Sequence, residues 1–189
     1  MKIVVMGAGA LGMSFGGFLA KARDADGKRS HDVTLVGREM YLAPVKTEGL
    51  TITGILGGHK VKGLKAVTDI KTPAAEYDLI LLTTKAFDTE KAMRQIKPLI
   101  GDAYVLSLQN GIGNEEIIAK YTDKVLGGMV IIGFEIAGPA HTRVTVFADN
   151  VKIGRLDNRV DKELKEIVEI FNDAEIPTDA VGNIQRHIW

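Results

Sequence analysis

Four short stretches of this 189-residue chain carry residue types that could do chemistry together. The first is Gly7-Ala8-Gly9-Ala10-Leu11-Gly12, a G-x-G-x-x-G pattern. Alone, that pattern says little. Here it follows directly on an apolar run at 3–6 and opens a helical pattern, the context that gives it meaning. In that context the first glycine permits a tight turn and the second lets backbone approach a pyrophosphate. The third lets the helix pack close on the strand. The helix N-terminus offers free N–H groups and a partial positive charge to phosphates. Gly7, Ala8, Gly9, Ala10, Leu11 and Gly12 are therefore candidate dinucleotide-binding residues. The competing reading is a glycine-rich strand-to-helix turn with no ligand.

The second stretch, Val36-Gly37-Arg38, ends the next apolar run. Sites that prefer NAD usually place Asp or Glu there, on the ribose 2′-hydroxyl. An Arg can instead make paired, charge-assisted hydrogen bonds to a 2′-phosphate. Arg38 thus predicts NADP. The alternative makes Arg38 a solvated loop residue and puts Glu39 on the 2′-hydroxyl. The polar loop at 24–32 lengthens the usual spacing between these two motifs.

The other two stretches are Thr83-Thr84-Lys85-Ala86-Phe87-Asp88 and Leu108-Gln109-Asn110-Gly111-Ile112-Gly113-Asn114. Ligands in open α/β sheets gather at the carboxyl ends of the strands. Lys85, directly after an apolar run, could hold a carboxylate or a ribose hydroxyl, or be an ordinary exposed lysine. Asn110 could aim its amide at the nicotinamide end of a cofactor, or serve only as the turn residue that Asn-Gly favours. Asn114 is the expected N-cap of the following helix.

This chemistry requires elements that bring those ends to one edge. Apolar, β-rich runs alternate with helical patterns, as in a parallel α/β sheet. Strands are expected at 3–6, 33–36, 79–83, 104–108 and 125–133, and helices at 11–23, 88–96, 114–120 and 162–172. The last helix has Leu164, Ile167, Val168 and Phe171 on one face. Residues 47–69, with alternating apolar residues and five glycines, read as β-hairpin material. A second hairpin is expected from 144–147 and 151–153, turning at Asp149-Asn150. The expected fold is α/β, a Rossmann-type, doubly wound, mostly parallel sheet with added β-hairpins.

Composition narrows the partners. Lys plus Arg equals Asp plus Glu at 24 each, so no global field favours nucleic acid or an anionic membrane. There is no cysteine, which excludes disulfides, thiolate metal sites and a Cys nucleophile. His31, His59, His141 and His187 show no metal-ligand spacing, and no metal is expected. No apolar run approaches the roughly 18 residues of a membrane span, and the apolar start is too short for a signal peptide. The expected address is the cytoplasm.

The set GAGALG, VGR, TTKAFDTEKA, SLQNGIGNEE, then LGG and an aliphatic-Gly segment resembles the ketopantoate reductase (2-dehydropantoate 2-reductase) family. The order and spacing match along nearly the whole chain, and the KA-x-x-T and QNG-x-GN segments are far more specific than the glycine loop. The resemblance implies NADPH-dependent reduction of 2-dehydropantoate to pantoate, on the route to pantothenate and coenzyme A. It implies a Rossmann domain followed by a helical domain, with the active site between them. Residues 7–12 would hold the pyrophosphate and Arg38 the 2′-phosphate. Lys85 and Asn110 would lie beside the nicotinamide ribose and the 2-oxo acid substrate as catalytic residues. Gly133 falls where the family keeps a small residue near the cofactor. The family's PG-x-V-x-H type stretch is replaced by Gly138-Pro139-Ala140-His141-Thr142-Arg143-Val144, so His141 receives no role. That departure is compatible with a related 2-oxo acid or with loss of the original substrate.

The final stretch, VGNIQRHIW, reads as the opening of a helix. In the family, a helix after the Rossmann domain carries a W-x-K segment whose Lys is the main proton donor. The resemblance therefore implies an NADP-binding domain over 1–180. Residues 181–189 would begin the helix into a helical domain that this chain does not contain. Such a fragment lacks the catalytic Lys and should bind NADPH while turning over little or no ketopantoate. Ile184, Ile188 and Trp189 would normally face the second domain. Without it they would be exposed or buried against another copy, giving a homodimer. The rivals are a dehydrogenase for another 2-oxo acid, one of 6-phosphogluconate or 3-hydroxyacyl type, and a non-catalytic NADP-sensing module.

Overall fold

The computed structural model describes residues 1–70 and 77–189. Strand β1 (Lys2–Met6) is buried over its last four residues, as a parallel strand covered on both faces must be. Helix α1 (Ala10–Lys21), β2 (Asp32–Val36), α2 (Glu39–Glu48), β3 (Leu50–Gly54), β4 (His59–Val61) and β5 (Lys65–Val67) follow. Then come β6 (Leu79–Leu82), a 3-10 turn Ala86–Asp88, α3 (Thr89–Ile96), β7 (Tyr104–Ser107), α4 (Asn114–Ile118) and β8 (Val125–Met129). The chain ends with β9 (Ile132–Gly138), β10 (His141–Phe147), β11 (Val151–Arg155), α5 (Lys162–Asp173), β12 (Thr178–Ala180) and α6 (Ile184–Ile188).

Eight strands form the main sheet in the order β12-β11-β8-β7-β6-β1-β2-β5. Every pairing in it is parallel except β11 with β8. From β1 the chain winds outward through β2 and β5 on one side and through β6, β7 and β8 on the other. The crevice of such a sheet lies where the strand order reverses, here at the carboxyl ends of β1 and β6. The central strands β1, β6, β7 and β8 are buried on both faces. Ile3 and Val5 join the core with α1 and α5, whereas Val4 and Met6 join the core with α3 and α4.

A second sheet, β4-β3-β10-β9, lies over α1. That helix is apolar all round, as one sandwiched between two sheets must be. Two adjacent glycines make the double approach close. A Cβ on Gly16 would come within 2.5 Å of Leu35 of the main sheet. One on Gly17 would come within 2.7 Å of Leu50 and Ile52 of the second. Phe15 meets Phe134 of β9 and Phe171 of α5 edge-on, at centroid distances of 5.7 and 6.1 Å.

Three expectations are corrected, and one helix is added. Residues 125–133 are not one strand: β8 ends at Met129 and the chain passes through Val130 and Ile131 into β9 of the other sheet. The run is apolar throughout, so no turn residue marks the break. Segments 144–147 and 151–153 form no hairpin. Strand β10 pairs with β9 and β3, β11 pairs with β8 and β12, and Asp149-Asn150 crosses between the sheets. The real hairpin joins β9 to β10 through Pro139 and Ala140, the latter at φ +46°. In 47–69 only β3 and β4 pair antiparallel, while β5 extends the main sheet beside β2. Helix α2, with Pro44 inside it, had no expected counterpart.

Candidate active site

The glycine turn is shaped by its neighbour strand. Gly7 takes φ +119°, and a Cβ there would lie 2.8 Å from the Thr83 carbonyl carbon and the Thr84 nitrogen. Gly12 packs directly against the Gly7 carbonyl, leaving no space for a side chain. The Thr83 hydroxyl lies 2.8 Å from the Gly7 carbonyl oxygen and 3.0 Å from that of Met6. Thus the end of β6 clamps the end of β1. Gly9 differs: a Cβ there would meet nothing within 4 Å. Nothing among the described residues requires its smallness, whereas a phosphate drawn against the backbone would. Gly9 caps α1 with no side-chain hydrogen bond, and the first turn holds no acidic residue. The opening N–H groups of α1 are thus left without a side-chain acceptor, an electropositive end suited to an anion.

Beside this turn stands the end of β2. A Cβ on Gly37 would come within 2.5 Å of the Ala8 methyl, so the two loops touch. Arg38 begins α2 as its N-cap, exposed, with its guanidinium 5.1 Å from the Tyr41 ring centroid. Among the described residues it forms no ion pair. Glu39, its competitor for a ribose, is held by Lys46 at 2.9 Å.

Lys85 and Asn110 follow the neighbouring strands β6 and β7, whose ends are in register at Leu82 and Ser107. Both side chains are exposed. Their loops are joined from behind by Gln109, Thr89 and Asn114, all buried. The Gln109 amide nitrogen lies 3.0 Å from the Thr84 carbonyl oxygen, 3.4 Å from that of Lys85 and 2.9 Å from the Thr89 hydroxyl. Asn114 is not the N-cap of α4. Gly113 holds that position at φ +93°, because the Asn114 amide folds back onto the Gly111 and Asn110 carbonyls at 3.0 and 3.4 Å. Next to it, Glu115 is buried, and burial pushes its carboxyl up, with the Ser107 hydroxyl offsetting part of the shift.

The glycine turn, Arg38, Lys85 and Asn110 therefore stand at successive strand ends along one edge. Gly133 lies on β9 of the second sheet, where a Cβ would come within 2.6 Å of the Thr145 hydroxyl; packing alone accounts for its size. His141 bonds Thr53 at 2.8 Å within that sheet. Sequence reasoning missed Thr83, Gln109 and Thr89. Thr89 and Gln109 are letters of the KA-x-x-T and QNG-x-GN segments, which was the available signal; Thr83, two places before Lys85, had none.

The C-terminal residues also differ from expectation. Ile184 is fully buried, and both Ile184 and Ile188 pack on Gly127 of β8. Small residues on β8 and β11 let α6 lie flat on the main sheet. Only Trp189, 82% exposed, stands free.

Comparison with known proteins bears on the family and the fold. The family described as ketopantoate reductase PanE/ApbA matches residues 3–158. The chain is 34% identical to the 2-dehydropantoate 2-reductase of Pyrococcus abyssi and 36% identical to that of Pyrococcus horikoshii. In both cases the match covers all of this chain and 59% of the relative. It superposes on a PanE/ApbA family ketopantoate reductase from Ralstonia eutropha with a TM-score of 0.84 and 30% identity, covering 100% of this chain and 59% of that one. A D-mandelate dehydrogenase solved with NADH and anilino(oxo)acetate superposes with a TM-score of 0.83 and 27% identity, at the same coverage. The chain thus spans about three fifths of the length of these relatives. On the extent of the family match, this chain belongs to the ketopantoate reductase PanE/ApbA family.

Proposed function

We propose that the chain is the NADPH-binding domain of an enzyme that reduces 2-dehydropantoate, or a close 2-oxo acid, to the 2-hydroxy acid. Its expected setting is the cytoplasm, on the way to pantothenate and coenzyme A. The observation that carries this reading is the alignment of the glycine turn, Arg38, Lys85 and Asn110 along one sheet edge, in a chain of this family. The open space at Gly9 and the side-chain-free start of α1 fit a pyrophosphate. Arg38, without an ion pair among the described residues, fits a 2′-phosphate. When bound, the nicotinamide would supply the hydride. The ammonium of Lys85 would hold the substrate carboxylate or the ribose, and the Asn110 amide would orient the nicotinamide end.

A second reading, an NADH-dependent dehydrogenase of another 2-oxo acid, draws on the likeness to D-mandelate dehydrogenase. Calorimetric titration of the chain with NADPH and NADH separates them. One charge-assisted contact contributes about 1.5–3 kcal/mol, so NADPH should bind roughly 10- to 100-fold more tightly. Arg38→Ala should abolish the difference. Equal or NADH-favoured binding would overturn the NADP assignment in favour of the second reading.

A further inference from the structure

The 110–113 loop has little packing to define it. Gly111 and Gly113 take φ +101° and +93°, and a Cβ on either would meet nothing within 4 Å. Ile112, its one large apolar side chain, is 59% exposed. At the neighbouring strand end, Lys85, Ala86 and Phe87 are exposed as well. What reaches both loops is a chain of buried polar side chains. Carbonyl oxygens can only accept, so the Gln109 nitrogen must face Thr84 and Lys85. With an N–H of Gln109 given to Thr89, the single Thr89 proton goes to the Asn114 amide oxygen at 2.9 Å, which has no other donor among the described residues, rather than to the Ala86 carbonyl at 2.8 Å or the Gln109 oxygen at 3.2 Å. The Asn114 nitrogen then donates to the Gly111 and Asn110 carbonyls. A relay therefore runs from the backbone of Lys85 to that of Asn110. Buried networks of this kind fix geometry when complete and leave costly orphaned groups when broken.

We propose that Gln109, Thr89 and Asn114 are positioning residues: a buried strut that sets the separation and rigidity of the Lys85 and Asn110 loops. Its relevance to the cofactor rests on the NADPH reading above; the coupling of the two loops does not.

The test is 15N relaxation of the chain, with NADPH titration alongside. In the wild type, residues 85–88 and 110–113 should be ordered, with order parameters near the rigid value of about 0.85. Thr89→Val keeps the shape and deletes the hydroxyl. It should drop both loops below about 0.6, leave β1 and β6 unchanged and weaken NADPH about tenfold. Thr89→Ser, which restores the hydroxyl, should restore both readouts. Mobile wild-type loops, an unaffected Thr89→Val, or equal effects of Val and Ser would overturn the strut. If Thr89→Val does not fold, Asn114→Ala decides. It spares the Gln109–Thr89 pair, so it should loosen 110–113 alone. Loosening of both loops or of neither would overturn the proposal. Failure of the wild type to bind NADPH would remove the cofactor reading, while the order parameters would still decide the coupling.

Discussion

Gly9 and Gly12 are two letters of one motif with different physical reasons. At Gly9 the backbone is extended, φ −84° and ψ −172°, a conformation that alanine adopts freely, and the space around it is open. Gly9→Ala stiffens the unfolded chain, which stabilises by about 0.4–1 kcal/mol where the fold tolerates it. The poorer N-cap works against this by a similar amount. Net stability should therefore change by less than about 1 kcal/mol, while NADPH affinity falls at least tenfold. Gly12→Ala forces a methyl onto the Gly7 carbonyl and should cost about 1–3 kcal/mol or more. Urea midpoints and calorimetry on the two variants separate the roles. Undiminished NADPH binding by Gly9→Ala would reduce the motif to a turn. This distinction was legible only in part. The pattern names three glycines, but which of them answers to protein and which to open space depends on Thr83, a neighbour 76 positions from Gly7 in the chain. Lys85 and Asn110 were legible because each follows an apolar strand. Gln109 and Thr89 stood in the sequence only as letters of their segments, and their bracing role was not legible, because a buried polar residue has no periodic signature.

Helix α1 is the element on which both sheets depend. Its one fully buried polar side chain, Ser14, donates to the Thr142 hydroxyl of β10 at 2.9 Å. Ser14→Ala strands that hydroxyl, at a cost of about 1–3 kcal/mol. Adding Thr142→Val removes the stranded group. The double variant should then be more stable than the sum of the single costs predicts. A double-mutant cycle by urea denaturation measures this, and simple additivity would show that the pair does not fasten the second sheet to the helix. The elements most legible in the sequence were β1, β6 and β7, whose apolar runs reflect burial on both faces, and β2, which keeps Val33, Leu35 and Val36 buried around Thr34. The second sheet was not. Which strands join it depends on long-range pairing such as β3 with β10, and β8 runs into β9 without a change of composition. Helix α2 was hidden by Pro44, a residue that ordinarily ends a helical pattern.

Across the whole molecule, balanced charge hides opposing pH responses. Several carboxylates at or near the surface are held below their usual range: Asp161 by the Leu164 backbone N–H and then Arg155, Asp179 by Lys152, and Glu175 by Lys21. Each contributes stability above its unfolded pKa that is lost as pH falls through the lower, folded value. Glu115 runs the other way. Burial raises its carboxyl, and one oxygen has no hydrogen-bond partner among the described residues. Below the ordinary value of 4.5, both folded and unfolded forms carry the proton and the penalty is absent. As pH rises through the folded pKa, the unfolded chain ionises freely and the folded chain does so only against desolvation, so this contribution is lost. Glu115→Gln removes this response and leaves the ion pairs intact. The difference in urea midpoint between the variant and the wild type should therefore grow in favour of the variant from about pH 4.5 upward, in the direction linkage requires. Measured from pH 4.5 to 8, a flat difference would mean that the carboxyl behind the Asn110 loop is solvated. The loop would then rest on an open, wet floor rather than on the closed polar layer formed by Gln109, Thr89 and Asn114.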